Sequence, residues 1–407
     1  MLLKERTEKM GKLIKMEKYK KAIHVLSVTN EEYRKSLQEI ECYQTQLVKD
    51  CTIPDLNFSS EYLEKVRECY KEIKSILDRW VINIYNVLKE YPTNLEIVVV
   101  STKKNLTNAM NNISYLLEKG YNDVVAQNLK ISMDIIDKNV TSTAKKCEAL
   151  YTSITHYADK EVLEVGKNLN EMIELLVKNE EVDNQKVKEL NDAIHELKKD
   201  IAENAIAIGG FLAADAILIG SVVLIGVLGT PLAGVMSAVV FAVPVIVATT
   251  YIVLDSIKID TDRKLVEAKQ EKLNLYESDL VLMKECEETY QNYVTKTQDI
   301  SSQFSKVSEA WNDICKDVSS IKEAVEKALE DMAAGKDTGR ETLLEIQKEV
   351  QTALDVTQDL EEKVKGVKIN EPSVSLANVM PGMSQSELEE TLTKAKSVPY
   401  SVFILAS

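Results

Sequence analysis

Residues 205–254 read AIAIGGFLAADAILIGSVVLIGVLGTPLAGVMSAVVFAVPVIVATTYIVL, and Asp215 is the one charged residue among them. A helix needs about 20 apolar residues to cross a bilayer, so this stretch is long enough for two spans. Gly226 to Gly234, with Gly229 and Pro231 between them, supplies the turn. The stretch, called here the apolar block, therefore predicts a hairpin of two apolar helices.

The large side chains of both arms are the predicted membrane-inserting residues, and Asp215 is a candidate lumen or switch residue. A carboxylate within the bilayer is costly unless it faces water or a partner; protonation or a position among the headgroups would also reduce its cost. Charged residues flank both ends of the block, so both arms are expected to enter the bilayer from one side. The alternative is that the two helices form the core of a large bundle. The predicted inserting residues are Ile208, Phe211, Leu212, Ile217, Leu218, Val222, Leu224, Ile225, Val227, Leu228, Val235, Val239, Phe241, Val245 and Ile252.

The segments on both sides of the block have the apolar periodicity of long helices. Apolar residues recur in alternating steps of four and three from Ile300 to Val325, and a shorter series runs from Val187 to Ile201. Such a rhythm is typical of coiled coils. Pro92 is expected to end a helix that starts near Ser59, and Gly120 to end the next one.

The predicted fold is all-α: an elongated bundle of long helices, an antiparallel coiled-coil stalk, and the apolar hairpin at its tip. Residues 1–157 together with 300–407 would form a helical tail bundle. Residues 158–204 and 256–299 would form the stalk, and residues 205–255 the head. A tail beyond Gly366 is expected to be extended, with a short helix near 384–396.

Composition argues against several functional classes. The formal net charge of −15 disfavours nucleic acid, because phosphate binding needs clustered cations. The six cysteines are scattered without CxxC spacing and are interpreted as buried, reduced thiols, and the three histidines have no metal-ligand companion. No Gly-rich phosphate loop or nucleophile elbow is present. We therefore expect no enzyme, no metal, no cofactor and no small-molecule substrate.

The choice between permanent and conditional membrane insertion decides the function. The first residues, Met1-Leu-Leu-Lys-Glu-Arg, lack the apolar core of a signal peptide, and the flanks of the block lack the Lys/Arg bias of resident spans. These features favour a protein that inserts conditionally. The alternative is a resident two-span membrane scaffold or sensor with a coiled-coil stalk.

Long helices that return on themselves around an apolar hairpin resemble the cytolysin A superfamily of α-helical pore-forming toxins. Within it, the chain looks most similar to the A-type component of the alpha-xenorhabdolysin binary toxins. The resemblance implies a soluble form with a sheltered hairpin, a target-cell lipid membrane, a second toxin subunit, and self-association into a ring oligomer. It also implies synthesis in the bacterial cytoplasm without a signal peptide, release, and action at the host cell membrane.

Overall fold

The computed structural model describes residues 16–51, 56–178, 182–196, 221–226, 239–244, 264–266, 268–269, 271–377, 390, 394 and 396–406. Helices make up nearly all of them, which confirms the all-α class. The helices are α1 (Glu17–Asp50), α2 (Ser60–Trp80), α3 (Asn86–Lys119), α4 (Asp123–His156), α5 (Leu163–Val177), α6 (184–196), α7 (Leu275–Ala333), α8 (Asp337–Val364) and α9 (Tyr400–Ala406). Two π-helical turns, Val81–Tyr85 and Tyr157–Val162, join α2 to α3 and α4 to α5.

The chain divides into two compact units. Unit 1 contains Met1–Tyr33, Glu90–Ser153 and Ser301–Lys368, and unit 2 contains Arg34–Lys89, Ile154–Ile300 and Ile369–Ser407. The predicted division into tail, stalk and head remains a prediction.

The core of unit 1 is built on the predicted heptad series of α7. Every member of that series from Phe304 onward lies in unit 1 and is buried: Phe304, Val307, Trp311, Ile314, Val318, Ile321 and Val325. The Phe304 ring packs edge-on against those of Tyr33 and Tyr91, with centroids 5.3 Å away in each case. The periodic residues therefore form a helix-packing seam, as the sequence predicts.

Pro92 does not end a helix, and that prediction is wrong. It lies inside α3, which runs from Asn86 to Lys119. A proline in a helix interior costs roughly 3 kcal/mol, but Leu88, Tyr91 and Leu95 around it are all buried. Tertiary packing on both sides of the proline therefore outweighs the local preference. Gly120 does end α3, with a φ of +86° that suits glycine.

In unit 2 the chain reverses direction after α5. Tyr290 of α7 donates a hydrogen bond to the Val162 carbonyl, and Glu277 accepts one from the Asp183 amide, so α5 runs antiparallel to α7. Further on, the His195 imidazole lies 2.9 Å from the Glu288 carboxylate. Residue 183 thus lies beside residue 277, and residue 195 lies beside residue 288. Because the residue numbers increase in the same direction in both segments, α6 is parallel to α7. The sequence predicts a long, nearly unbroken helix here, but α5 and α6 are separate helices with opposite directions.

Unit 2 also contains a four-stranded sheet, which the sequence pattern did not predict. Its strands are β1 (Ser221–Gly226), β2 (Val239–Pro244), β3 (Ser373–Ala377) and β4 (Lys396–Pro399), in the spatial order β2-β1-β3-β4. β1 pairs antiparallel with β2 and parallel with β3, and β3 pairs antiparallel with β4. The sheet thus joins the apolar block to the C-terminal segment.

Candidate functional site

The described part of the apolar block consists of strands. β1 and β2 pair in register from Ser221 opposite Pro244 to Gly226 opposite Val239, so the chain reverses between them. The expectation that these residues are helical is therefore wrong. Valine and isoleucine supply half of each strand, and β-branched residues favour strands.

Five predicted inserting residues lie in these strands: Val222, Leu224 and Ile225 in β1, and Val239 and Phe241 in β2. Gly226, predicted for the turn, closes β1. The remaining predicted residues fall outside the described residues. They are Ile208, Phe211, Leu212, Asp215, Ile217, Leu218, Val227, Leu228, Gly229, Pro231, Gly234, Val235, Val245 and Ile252. Membrane insertion of all the predicted inserting residues, and the roles of the turn residues and Asp215, remain predictions. Among the helices that the structure describes, none has both the length and the apolar composition of a membrane span.

The outer edge of β1 is covered by β3, a strand from the C-terminal part of the chain. The two strands are parallel, with Val222 beside Ser373 and Gly226 beside Ala377. An uncovered edge exposes unpaired backbone groups that recruit other strands. The C-terminal segment therefore caps the edge that the apolar hairpin would otherwise present.

The strands β3 and β4 are held by the residues around them, and 371–377 with 396–406 are called here the C-terminal anchor. Tyr400, fully buried, follows directly after β4. Its amide donates to the Pro372 carbonyl at 2.9 Å, and its hydroxyl donates to the side-chain oxygen of Gln44 in α1. Its ring lies 5.0 Å, centroid to centroid, from that of Tyr85. One residue thus fixes the anchor to α1 and to the first π-helical turn.

The Gln44 contact continues into a chain of buried hydrogen bonds. Gln44 Nε2 donates to the Tyr293 hydroxyl at 2.8 Å, and the Tyr293 and Tyr157 hydroxyls bond to each other. Tyr157 in turn donates to the Ile76 carbonyl at 2.9 Å. Burial raises the pKa of both phenols, so both remain protonated donors. The anchor is therefore connected to the polar groups inside unit 2.

Glu371, just before β3, forms the second attachment. Its carboxylate accepts hydrogen bonds from the Ser401 amide, at 2.7 Å, and from the Ser401 hydroxyl, while Lys89 Nζ lies 3.2 Å from it. Partial burial on its own would raise the pKa of Glu371, but the bonds from Ser401 and the charge of Lys89 outweigh it, and the pKa is lowered. Glu371 is thus held as a carboxylate at the first turn of α9.

Glu41 lies next to Glu371, but its pKa is shifted in the opposite direction. It is 2% exposed, and burial raises the pKa of its carboxyl to about 8, aided by the charge of Glu371 and opposed by the Tyr85 hydroxyl and by Lys89. Within the described residues, Glu41 Oε1 has no hydrogen-bond partner of normal geometry. An uncharged carboxyl is therefore buried beside the anchor at neutral pH.

None of the anchor residues was identified from the sequence. The tail was expected to be extended, and β3 confirms this for 373–377. The side-chain contacts of Glu371, Tyr400 and Ser401 join residues between 30 and 356 positions apart, for which no local pattern exists. The one usable signal was the Val-rich composition of the apolar block, which is typical of strands as well as of membrane spans.

No protein-family profile and no curated protein sequence matches the chain. Several solved structures, in contrast, are similar to it. Motility Associated Killing Factor B from Vibrio cholerae superposes with a TM-score of 0.56 at 13% identity, over 86% of this chain and 94% of that chain. Soluble SmhA of the tripartite alpha-pore forming toxin of Serratia marcescens gives a TM-score of 0.52 at 12% identity, over 86% and 93%. The HblL1 toxin component of Bacillus cereus gives 0.51 at 11% identity, over 85% and 98%. At these identities the likeness establishes that the chain shares its fold with these three proteins.

Proposed function

We propose that the chain is a component of an α-helical pore-forming toxin, in which the C-terminal anchor holds the apolar block until a membrane is reached. The observation that carries the proposal is the parallel pairing of β1 with β3. A block of about fifty residues with one charge needs a partner in water, because a monomeric protein tolerates only a limited exposed apolar surface. The shared fold with toxin components supports the same function.

The reversal between α5 and α6 gives the sheltered state a structural basis. It turns the chain back along α7, so that residue 195 lies near residue 288. Tyr293, close by on α7, bonds to Gln44, which receives the Tyr400 hydroxyl of the anchor. The last described helix before the apolar block thus lies along the same part of α7 to which the anchor is attached.

Insertion requires the block to leave the sheet. An open sheet edge is not tolerated in hydrocarbon, because unpaired backbone groups find no water there. β1 and β2 must therefore separate from β3 and refold as helices. Burial of apolar surface in lipid, at roughly 25 cal/mol per Å², drives this step.

We further propose that the chain works with partner subunits at a target membrane. The chain acts like the A-type component of the alpha-xenorhabdolysin toxins, together with a second toxin subunit, and it self-associates into a ring at the target-cell membrane. The predicted inserting residues enter the lipid, and Asp215 faces the lumen. The protein is made in the bacterial cytoplasm and acts at the host cell membrane after release.

The test is to lock β1 to β3. Cysteines placed at the paired positions 223 and 374, as Val223→Cys with Val374→Cys, join the apolar block to the anchor when oxidised. The matched control, Ser375→Cys with Ser397→Cys, joins β3 to β4 and leaves β1 free. Mass mapping verifies each bond, and dye release from liposomes measures the activity, with and without culture fluid from the producing cells as a source of the second subunit.

We expect the oxidised 223–374 variant to lose dye release and to regain it on reduction, while the 375–397 variant stays active in both states. If the oxidised 223–374 variant released dye as well as its reduced form, then separation of β1 from β3 would not be the mechanism. If no variant and no unmodified chain released dye under any of these conditions, the pore-forming function itself would be refuted.

A further inference from the structure

Three cysteines from different helices meet in unit 2, although the sequence shows no cysteine motif. Cys51 follows the last residue of α1, Cys69 lies in α2, and Cys286 lies in α7. The sulfur atoms of Cys51 and Cys286 are 3.9 Å apart, and all six cysteines of the chain are free thiols. A disulfide bond is about 2.05 Å long, so a shift of roughly 2 Å closes this pair.

We propose that Cys51 and Cys286 are a modification site, where the chain acquires a disulfide bond when a disulfide oxidant such as oxidised glutathione acts on it. The inference is independent of the proposed function and goes beyond it. It also replaces the interpretation of these two cysteines as merely buried and inert thiols.

The two thiols differ in a way that fixes the order of the reaction. Cys286 is fully buried, whereas Cys51 is partly exposed at the end of its helix. The hydrogen bond with Cys51, burial, and the nearby Asp50 carboxylate raise the pKa of Cys286 well above its usual range. Cys51 is therefore the thiol that an oxidant from solution reaches first, because Cys286 is shielded and protonated.

The reaction balances as two thiol–disulfide exchanges. Cys51, as its thiolate, attacks one sulfur of the oxidant and releases the first reduced thiol, which leaves a mixed disulfide on Cys51. Cys286 then loses its proton, attacks Sγ of Cys51 and releases the second reduced thiol. Two protein thiols are oxidised to one disulfide, and one oxidant disulfide is reduced to two thiols.

Cys69 is the competing partner, but its position favours the other pair. Burial and the carboxylates of Glu72 and Glu68 raise the pKa of Cys69 to about 11. Its sulfur has no hydrogen bond with either of the other two thiols among the contacts of the described residues, whereas Cys51 and Cys286 are in direct contact. We therefore expect Cys69 to stay reduced.

The bond would tie the end of α1 to the start of α7 and close a loop of 235 residues. Cross-links across long loops remove much of the entropy of the unfolded chain. Glu277 and Glu288 of α7, which bind the reversed segment around α6, lie on both sides of Cys286. Oxidation should therefore stabilise the part of unit 2 on which α6 packs.

The experiment uses the full chain, reduced first and then incubated in oxidised glutathione under native conditions. Remaining thiols are alkylated, and peptide mapping identifies the linked cysteines. We expect a Cys51–Cys286 link, with Cys42, Cys69, Cys147 and Cys315 alkylated. A glutathione adduct on Cys51 that does not close, a link to Cys69, or no link at all would each overturn the proposal.

The unfolding temperature provides a second, independent test of the disulfide bond. We expect oxidation to raise the unfolding temperature by at least about 5 °C. The rise should be lost in Cys51→Ala and kept in Cys69→Ala, and circular dichroism shows whether each variant is folded. An equal rise in Cys51→Ala would overturn the proposal. Should Cys51→Ala fail to fold, the mapping result on the unchanged chain decides it.

Discussion

Replacing Glu41 with glutamine tests whether the carboxyl buried beside the C-terminal anchor is uncharged. Burial raises the pKa of Glu41 from 4.5 to about 8 in the folded chain. The groups around it are the Tyr85 and Tyr400 hydroxyls, Glu371 and Lys89. Of these, Lys89 and the Tyr85 hydroxyl favour the charged form, and Glu371 opposes it.

The sign of the pH dependence follows from proton linkage. Between its unfolded and folded pKa values, Glu41 holds a proton in the folded chain that the unfolded chain has released. The folded chain therefore loses stability as the pH rises through this window. The full difference in pKa corresponds to about 5 kcal/mol, of which about 3 kcal/mol is lost between roughly pH 5.5 and 8. Glutamine stays neutral, so Glu41→Gln should show no such loss.

Trp80 gives a readout confined to unit 2. It is fully buried there and packs against Tyr157, whereas Trp311 belongs to unit 1. In a Trp311→Phe background, Trp80 fluorescence followed through urea unfolding reports the free energy of unfolding of unit 2. The experiment compares the chain with and without Glu41→Gln at several pH values.

We expect the two proteins to be similarly stable in acid and to diverge as the pH rises, with Glu41→Gln the more stable at pH 8. The exposed Glu64 in α2 supplies the control, because Glu64→Gln should leave the pH profile unchanged. The reasoning would be refuted if Glu41→Gln kept the full pH dependence of the unchanged chain, or if stability of the unchanged chain rose with pH over this window relative to the variant.

Three further changes test the packing and the anchor. Gly339→Ala should cost about 2–4 kcal/mol in thermal unfolding, because an added Cβ would lie 2.5 Å from the Met332 amide nitrogen; an unchanged unfolding temperature would contradict the close packing. Phe304→Ala removes a ring buried between two tyrosines. We expect it to lower the free energy of unfolding in urea by about 3–5 kcal/mol. A decrease below about 1 kcal/mol would show that packing of this ring does not stabilise unit 1. Glu371→Ala removes the acceptor that holds the first turn of α9 and should speed limited proteolysis of the C-terminal segment about 10-fold; equal cleavage rates would show that the anchor does not depend on it.

Helices and their buried seam could be predicted because both depend on residues three and four positions apart. The series from Phe304 to Val325 indicates its buried face in the sequence, and the structure buries every member. The prediction for Pro92 is wrong because the helix around it depends on distant residues. The local preference of the proline is to break a helix, and only the buried neighbours in the folded unit reveal that α3 continues through it.

The candidate site was predicted in composition but not in conformation. An apolar run rich in valine, isoleucine and glycine is compatible with a membrane helix and with a strand. Length favoured the helix, and the structure shows strands at 221–226 and 239–244. The choice depends on whether a partner strand is available, which the run itself does not contain.

The amino-acid pattern is enough to predict that this chain is helical, that long helices pack through a heptad seam, and that one stretch near its middle is apolar. The pairing of β1 and β2 from that stretch becomes known only from the folded structure. The pairing of Val222 with Ser373 and the bond from Tyr400 to Gln44 join positions about 150 and 356 residues apart. Such contacts form when distant elements fold against one another, and no short-range pattern encodes them.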